Sequence, residues 1–412
     1  MSRVNLKKGS VGPNSLGGYE KNAALVGYFG SYTGEAGALE EGVPLLLYNA
    51  VEAEGYGMKT NKLLYHHVSE FFRMAGKGAT LRILSLLNTP QQPFVSLIAD
   101  QSVKQMIIDA DGDIFNIGFS YIPTTPAVYI DGLHDEMLPA IKASQAFADW
   151  TRETNRPVHT ALECAMYNGT SSTSLDLRSI KETGASVHCP QVSVMIGQDF
   201  NFAETLTGNE KKYAGIGALL GCMACQPVSY NVGEVQTMSL TNAAREAWLN
   251  AGLSNHKTVK EQEAQLEGLN AKGYIFGEYY SGEVVLNDDH VCCPIIVDAE
   301  GNMNEHTIAL SRTNAKVFRE LHTVYLRKIK SSVPVDKTTG LMGTGMIKYF
   351  EGFGNGVFGR MEMKQELSGG KTEVDEKSNL LFGEKSLKVF YNWVPMGGIG
   401  RIDGTVNIKR SI

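Results

Sequence analysis

The stretch that decides the fold is Leu81-Arg82-Ile83-Leu84-Ser85-Leu86-Leu87, a short and nearly continuous apolar run. Such runs are typical of strands that are covered on both faces, as in parallel sheets. Immediately before it, between about residues 58 and 75, apolar residues recur at helical spacing, and Gly76 and Gly78 then end that pattern. The segment therefore predicts a helix followed by a buried strand, which is the repeating unit of a layered α/β domain.

The same alternation continues to about residue 300. After Gly301 it gives way to one long helix over 304–330, a second helix around 342–353, and then strands. Strands that alternate with helices of roughly 10–15 residues indicate a parallel or mixed sheet with helices on its faces. The further predicted elements of the body are strands at 115–122, 127–130, 158–165 and 192–196, and helices at 136–154, 175–183, 210–224 and 240–251; the C-terminal strands are predicted at 358–367, 386–394 and 401–409.

We therefore expect an α/β fold, α+β overall: a layered α/β middle domain plus a smaller α+β C-terminal domain, with extended N- and C-terminal arms. Of the 44 glycines, 11 lie in residues 1–57 and 14 in residues 340–404, so the glycine excess is confined to the two ends, where arms must bend. The predicted boundaries are an N-terminal arm at 1–30, the body at 31–303, the C-terminal domain at 304–399 and an arm strand at 400–412.

Both arms contain a short strand pattern. Val4 and Leu6 alternate with polar residues at the N-terminus, and Ile402, Val406 and Ile408 do so at the C-terminus. A single alternating segment at a chain end has no partner of its own, so it needs the edge of another sheet. We predict that these five residues belong to strands that pair between subunits.

The composition is that of a folded protein with a mildly acidic surface. The 38 Lys and Arg against 44 Asp and Glu give a net charge of −6, which argues against a surface devoted to nucleic acid. The first residues lack the apolar core of a signal peptide, and the longest apolar stretch is far shorter than a membrane helix. Six cysteines are too few for a disulfide scaffold. We expect a soluble protein made in a reducing cytoplasm, with no direct nucleic-acid binding and no membrane insertion.

Three motifs bear on the alternative of a cytoplasmic α/β enzyme. Residues 354–359 satisfy G-x-G-x-x-G, but a helix is predicted before them and a strand after, the reverse of a dinucleotide site, so a glycine-rich loop is expected. Residues 222–225 form C-x-x-C at the end of an apolar helix, where cysteines act as small hydrophobes. His188-Cys189 and His290 with Cys292-Cys293 would form a metal site only if the fold brought them together. We predict no catalytic residue, no metal site and no cofactor; a thiol, metal or dinucleotide enzyme is the alternative of a different class.

One charged feature is stronger than these motifs. Residues 312–330 carry six cations and one anion, a net +5, so the remainder of the chain carries −11. On a helix at 100° per residue, five of the cations fall within a stripe about 80° wide. A solvated helix face explains such a stripe most simply, and an acidic partner surface is the second interpretation. The stripe consists of Arg312, Lys316, Arg319, Arg327 and Lys330.

The C-terminal third then shows a familiar order of features. The basic helix is followed by Val333-Pro334-Val335, a glycine-spaced helix, the turn Val394-Pro395-Met396-Gly397, and a last strand from Ile402 to Ile408. This order resembles the C-terminal domain of contractile phage tail sheath proteins. The resemblance extends upstream over nearly the whole chain, through Ala53-Glu54-Gly55, Glu70-Phe71-Phe72-Arg73, Val192–Gly197 with Asp199, Gly215–Gly221, and Lys272-Gly273-Tyr274 to Tyr280.

The resemblance implies a structural subunit and not an enzyme. Sheath proteins of this family polymerise as a helical stack of six-fold rings around an inner tail tube, exchange terminal strands with neighbouring subunits, and contract when the baseplate triggers them. The implied partners are further copies of the chain, the tube protein, and the baseplate and tail terminator proteins. The family's C-terminal domain lies against the tube, so the basic stripe, or the helix at 342–353, is expected to face the tube.

The implied location is the tail of a virion, or an extracellular contractile particle, assembled in the cytoplasm of the host bacterium. The sheath of a headless contractile injection system or tailocin is the alternative within the same structural class. The sequence does not separate it from a phage tail sheath.

Overall fold

The computed structural model describes residues 20–87, 92–123, 128–382, 385–400 and 402–404. The chain divides into two compact units, Met1–Leu326 and Arg327–Ile412. The sequence placed this boundary after residue 303, whereas the structure places it after the following helix. That helix belongs to the first unit because one side of it, including Ile308 and Val317, is buried there.

The helices of the first unit are α1 (Ala50–Gly55), α2 (Lys62–Ala75), α3 (Phe94–Ala99), α4 (Gln101–Asp109), α5 (Met137–Glu153), α6 (Phe200–Glu204), α7 (Ile216–Cys225), α8 (Glu263–Ala271) and α9 (Ile308–Leu326). Its strands are β1 (Asn22–Gly27), β2 (Tyr32–Gly34), β3 (Gly37–Leu39), β4 (Leu45–Leu47), β5 (Thr80–Ser85), β6 (Asn116–Ser120), β7 (Tyr129–Ile130), β8 (Leu133–His134), β9 (His159–Glu163), β10 (Lys181–Glu182), β11 (Ala185–Ser186), β12 (Val192–Met195), β13 (Gly197–Asp199), β14 (Ala251–Leu253), β15 (Lys257–Thr258), β16 (Gly277–Tyr280) and β17 (Glu283–Leu286). The second unit contains α10 (Thr344–Met363), β18 (Gly369–Val374) and β19 (Val389–Val394).

A six-stranded sheet forms the centre of the first unit, in the order β12-β9-β6-β1-β5-β4. All its pairs are parallel except β4 with β5. The five parallel strands, numbered along the chain, therefore lie in the order 2-1-3-4-5 of a doubly wound fold, with a topological switch point between β1 and β6. This confirms the predicted fold class, a layered α/β body with a mixed sheet.

The apolar run at residues 81–87 contains most of β5. The strand that pairs with β5, β1, shows that the predicted N-terminal arm is wrong at residues 22–27. Residues 22–27 are not an arm but the strand between β5 and β6, with Leu25 paired to both Ile83 and Gly118. Five of its six residues are buried. The run is too short and too rich in alanine to be recognised as a strand from periodicity alone.

Two predicted helices of the body are wrong. The segment 175–183 forms turns and the short strand β10, and 240–251 forms a loop with a single 3₁₀ turn. Side-chain bonds hold the second segment away from the helical path: the Trp248 backbone N–H donates to Asp199 Oδ2 at 2.8 Å, and its indole Nε1 donates to Glu70 at 2.9 Å. Tertiary contacts therefore override the local helical preference.

The second unit is one helix packed on a two-stranded hairpin. α10 extends over the whole G-x-G-x-x-G motif, so the predicted glycine-rich loop and the strand predicted at 358–367 are both wrong. Gly354 explains why a glycine-rich sequence is helical here: a Cβ at this position would lie 2.1 Å from Thr372 Oγ1 on β18. The glycine lets the helix approach the hairpin closely, and Phe350 and Phe358 are buried beside it.

Candidate functional site

The hairpin β18–β19 has two different edges. On β18 the backbone N–H of Thr372 donates to Asn355 Oδ1 at 2.8 Å, and that of Val374 donates to Glu351 Oε1 at 3.3 Å. Both acceptors are side chains of α10. Two outward N–H groups of β18 are thus already bonded within the unit, and the α10 side chains that accept them obstruct this edge to a further strand.

The outer edge of β19 follows from the register of the pair. Because Thr372 and Val374 direct their N–H groups outward, they belong to the non-hydrogen-bonded pairs of the ladder, and Val374 lies opposite Val389. Val389 and Trp393 therefore direct their backbone groups to the outer edge of β19. Within the part of the chain that the structure describes, no strand pairs with that edge. The hairpin offers one side to an incoming strand.

Exposed apolar side chains lie on β19 and near it in sequence. Along β19 exposure alternates, and the side chains of Phe390 and Val394 are 57% and 60% exposed. Nearby in sequence, Phe382 is 74% exposed and Ile399 is 84% exposed. Large apolar side chains exposed in one small unit are typical of a protein–protein contact surface.

Of the five predicted arm-strand residues, the structure describes one. Val4, Leu6, Val406 and Ile408 lie outside the described residues. Ile402 is described; it is exposed and belongs to no strand. Their pairing between subunits stays a prediction.

The basic stripe needs a correction, because α9 buries most of it. Arg312 is 2% exposed and Lys316 is 5% exposed. Arg319 donates to both carboxylate oxygens of Glu20 at 2.5 Å and to the Pro157 carbonyl, and its guanidinium lies 4.9 Å from the centre of the Phe115 ring. The cationic face of the helix packs into the first unit, since long cationic side chains can be buried when they are paired.

The remaining cations of the stripe lie beyond the end of α9. The predicted helix over 304–330 ends at Leu326, so Arg327 and Lys330 are not on the same helical face as the others. Both are exposed. Lys328, which the stripe left out, lies 4.4 Å from the ring centre of Phe353 and donates to Tyr349 Oη at 2.9 Å. Of the predicted five, Arg327 and Lys330 are available for a contact with an acidic partner.

Most residues of the enzyme alternative are buried; His188 is exposed and Cys225 is partly buried. Cys189 and Cys292 do come together, with the Cys189 N–H bonded to the Cys292 carbonyl at 2.9 Å, and burial raises the pKa of both thiols. Cys222 is buried in α7. Among the described residues, no group of three His, Cys, Asp or Glu side chains is arranged to hold a metal ion.

A buried carboxyl group that the sequence did not single out lies at the end of β9. Glu163 accepts from Ser120 Oγ at 2.5 Å and from the Ala214 backbone N–H at 2.8 Å, and His67 Nε2 is 3.8 Å away. Burial raises the pKa of Glu163 to about 8 and lowers that of His67 well below its ordinary value. Glu163 and His67 are fully buried, so neither side chain is exposed to solvent. A serine, a histidine and a glutamate far apart in sequence gave no signal of this contact.

Within the described residues no helix has both the length and the apolar character that crossing a membrane requires.

The fold of this chain is similar to the folds of solved proteins from contractile particles. A chain of the anti-feeding prophage baseplate, from a six-fold symmetrised cryo-electron microscopy structure, is similar with a TM-score of 0.56 and 11% identity over 99% of each chain. The crystal structure of the sheath tail protein of Desulfitobacterium hafniense is similar with a TM-score of 0.51 and 9% identity, over 96% of this chain and 100% of that one. The predicted likeness to contractile tail sheath proteins is thus confirmed as a shared fold.

At the level of sequence, no curated protein matches the chain. The sequence model of the family DUF2586, N-terminal domain, matches residues 18–283. That span covers most of the first unit and more than half of the chain, and this protein therefore belongs to the DUF2586 family.

Proposed function

We propose that the protein is a structural subunit of a contractile tail sheath. It polymerises as stacked six-fold rings around an inner tube, and contraction of the stack drives the tube through a target envelope. The observation that carries the proposal is the hairpin of the second unit, with one edge obstructed by Asn355 and Glu351 and the other edge directed outward. The shared fold with a sheath tail protein supports it.

Strand donation follows from that edge. A terminal segment of a neighbouring subunit, carrying Val4 and Leu6 or Ile402 to Ile408, adds to β19 through main-chain hydrogen bonds. Since the β18 edge is obstructed, donated strands extend the sheet on one side only, which gives each contact a direction. A directed contact between different surfaces of identical subunits closes into rings or continues as a helix.

The tube lies against the second unit in this proposal. Arg327 and Lys330 are the exposed cations of the predicted stripe, and α10 offers Gly352, Gly356 and Gly359, where an added Cβ would meet no close neighbour. Exposed ion pairs contribute only about 0–1 kcal/mol each. Weak repeated contacts suit a surface that must release the tube during contraction.

The fold supports a headless injection particle as the second candidate, because the anti-feeding prophage chain is similar over 99% of its length. In either particle the partners are the tube protein and the baseplate and tail terminator proteins. Assembly in the bacterial cytoplasm precedes a location in a virion tail or an extracellular particle. No step of the proposed function requires an enzymatic activity or a cofactor.

A backbone substitution tests the proposal directly. Val389→Pro removes an N–H that points to the outer edge of β19, while the hydrogen bonds to β18 come from the alternate residues and stay intact. Purified wild-type protein is expected to form tubes or ring stacks in negative-stain electron micrographs, and Val389→Pro is expected to stay as small particles.

Val389→Thr is the matched control, because it keeps the N–H and the side-chain shape. It is expected to assemble like the wild type. Circular dichroism and thermal melting establish that each variant is folded. Uniform closed particles from the wild type, or normal tubes from Val389→Pro, would contradict the proposal.

A further inference from the structure

A cavity of about 480 Å³ opens at the carboxyl ends of the parallel strands in the first unit. Tyr28 and Phe29 follow β1 there, and Ser120 and Tyr121 end β6, so the cavity lies at the topological switch point between these two strands. In open doubly wound sheets this is the position at which ligands bind. The volume lies within the usual range for small-molecule sites, roughly 300–1,000 Å³.

Aromatic rings form one side of the cavity. Tyr28 and Tyr121 meet edge to face with their ring centres 6.3 Å apart, and Phe94 stacks behind Tyr121 at 4.7 Å. Tyr121 Oη donates to the Gln92 carbonyl at 3.2 Å, whereas Tyr28 Oη is buried and has no hydrogen-bond partner.

In the described part of the chain, the charge that lines the cavity comes from a carboxylate. Glu210 is the one charged residue among those that line it in the described chain, and no Lys or Arg lines it. Beneath the floor, Ser120 donates to Glu163, which adds no full charge at neutral pH because burial raises its pKa to about 8. Burial, and then the nearby carboxylates of Asp100 and Glu136, raise the pKa of Tyr28 to about 12. The described lining offers no counter-charge to an anion such as a phosphate, so these carboxylates favour a cation.

We infer that this cavity binds an organic cation, with the ammonium or guanidinium group held against the Tyr28 and Tyr121 rings and Glu210 at the mouth. Aromatic faces attract cations through their quadrupoles, and the attraction is strongest where water is excluded. A free quaternary ammonium compound and a Lys or Arg side chain of another polypeptide share this chemistry. The inference does not depend on the proposed role in a sheath.

Calorimetric titration of the full chain tests the inference. The probes are choline and its uncharged isostere 3,3-dimethylbutan-1-ol, which has the same shape without the charge. Choline is expected to bind saturably at one site, and the isostere at least roughly tenfold more weakly. Nα-acetyl-lysinamide is the second arm: tighter binding than choline indicates a side chain as the natural occupant, and weaker binding indicates a free quaternary ammonium.

Variants establish the position of the site. Tyr121→Leu is expected to abolish choline binding. Glu210 is exposed, so Glu210→Gln leaves the fold intact and is expected to weaken binding several-fold, while Glu267→Gln on the exposed side of α8 leaves it unchanged. Equal affinity for choline and its isostere, no saturable binding of any cation, or unchanged binding by Glu210→Gln would each overturn the inference.

Discussion

The two units differ in how completely their helices and strands are covered by the rest of the same unit. In the first unit the cations of α9 are turned inward, as the contact of Arg319 with Glu20 shows. In the second unit a smaller core leaves Phe390 and Ile399 exposed and one strand edge directed outward. Under the proposed function we therefore expect stability to depend mainly on the first unit and assembly to depend on the second.

The largest effect is expected from breaking the pair that anchors α9. In Arg319→Glu the buried carboxylate of Glu20 faces a second negative charge in place of its cation. Removing one partner of a buried pair typically costs about 3–5 kcal/mol. The free energy of unfolding, from urea titration followed by circular dichroism, should fall by that amount.

Arg327→Glu is the control for Arg319→Glu. Both variants carry the same change of charge, but Arg327 is exposed. Its free energy of unfolding should stay within about 0.5 kcal/mol of the wild type. Equal losses in the two variants would show that α9 is not anchored through its cationic face.

An intermediate effect is expected inside the second unit. Gly354→Ala places a methyl group against Thr372 and should lower the free energy of unfolding by about 1–3 kcal/mol. Gly352→Ala lies in the same helix with open space around it, so it should raise that free energy by up to about 1 kcal/mol. Thermal denaturation of the two variants measures the contrast, and a stabilised Gly354→Ala would mean that α10 and β18 are not in close contact.

A smaller effect, specific to the first unit, is expected from pH. Glu163 has a pKa of about 8 in the folded protein and an ordinary, much lower value when unfolded. Between these two values the folded state binds the extra proton, so stability decreases as pH rises from about 6.5 to 8, by at most about 1.4 kcal/mol per pH unit.

Glu163→Gln isolates this effect, because it keeps the shape and removes the titration. His66 is partly buried, and desolvation lowers its pKa to about 4, so it gives a change of opposite sign below its ordinary pKa in wild type and variant alike. Urea titrations at several pH values should therefore show a steeper decline for the wild type than for Glu163→Gln. Parallel curves would mean that Glu163 is ionised when folded.

The sequence predicted the layered body from β5 and the preceding helix, because uninterrupted apolar runs and helical periodicity report burial directly. It missed β1, since a short alanine-rich run carries no period. It also placed the α9 cations on a surface: a helical wheel gives the angle of Arg312 but not the partner that pairs with it. The glycines of α10 predicted a loop, because the reason for Gly354 is Thr372, a residue that only the fold brings near.

The smallest effect on folding, and the clearest on assembly, is expected at Phe390. Its side chain is 57% exposed beside the outer edge of β19. Phe390→Ser should change the free energy of unfolding by no more than about 0.5 kcal/mol, the usual limit for exposed positions. Assembly in negative-stain micrographs should fall sharply, because an incoming strand loses the apolar surface on which it packs.

Phe200→Ser is not a suitable control, because Phe200 is only partly exposed and stacks on His256. Val128→Ser is better, since Val128 is similarly exposed, at 59%, but belongs to the first unit. If Phe390→Ser and Val128→Ser assemble equally well, the exposed apolar residues of the second unit have no special role. If only Phe390→Ser fails, assembly depends on the second unit while the stability of both variants stays unchanged, which is the division of labour that the two units imply.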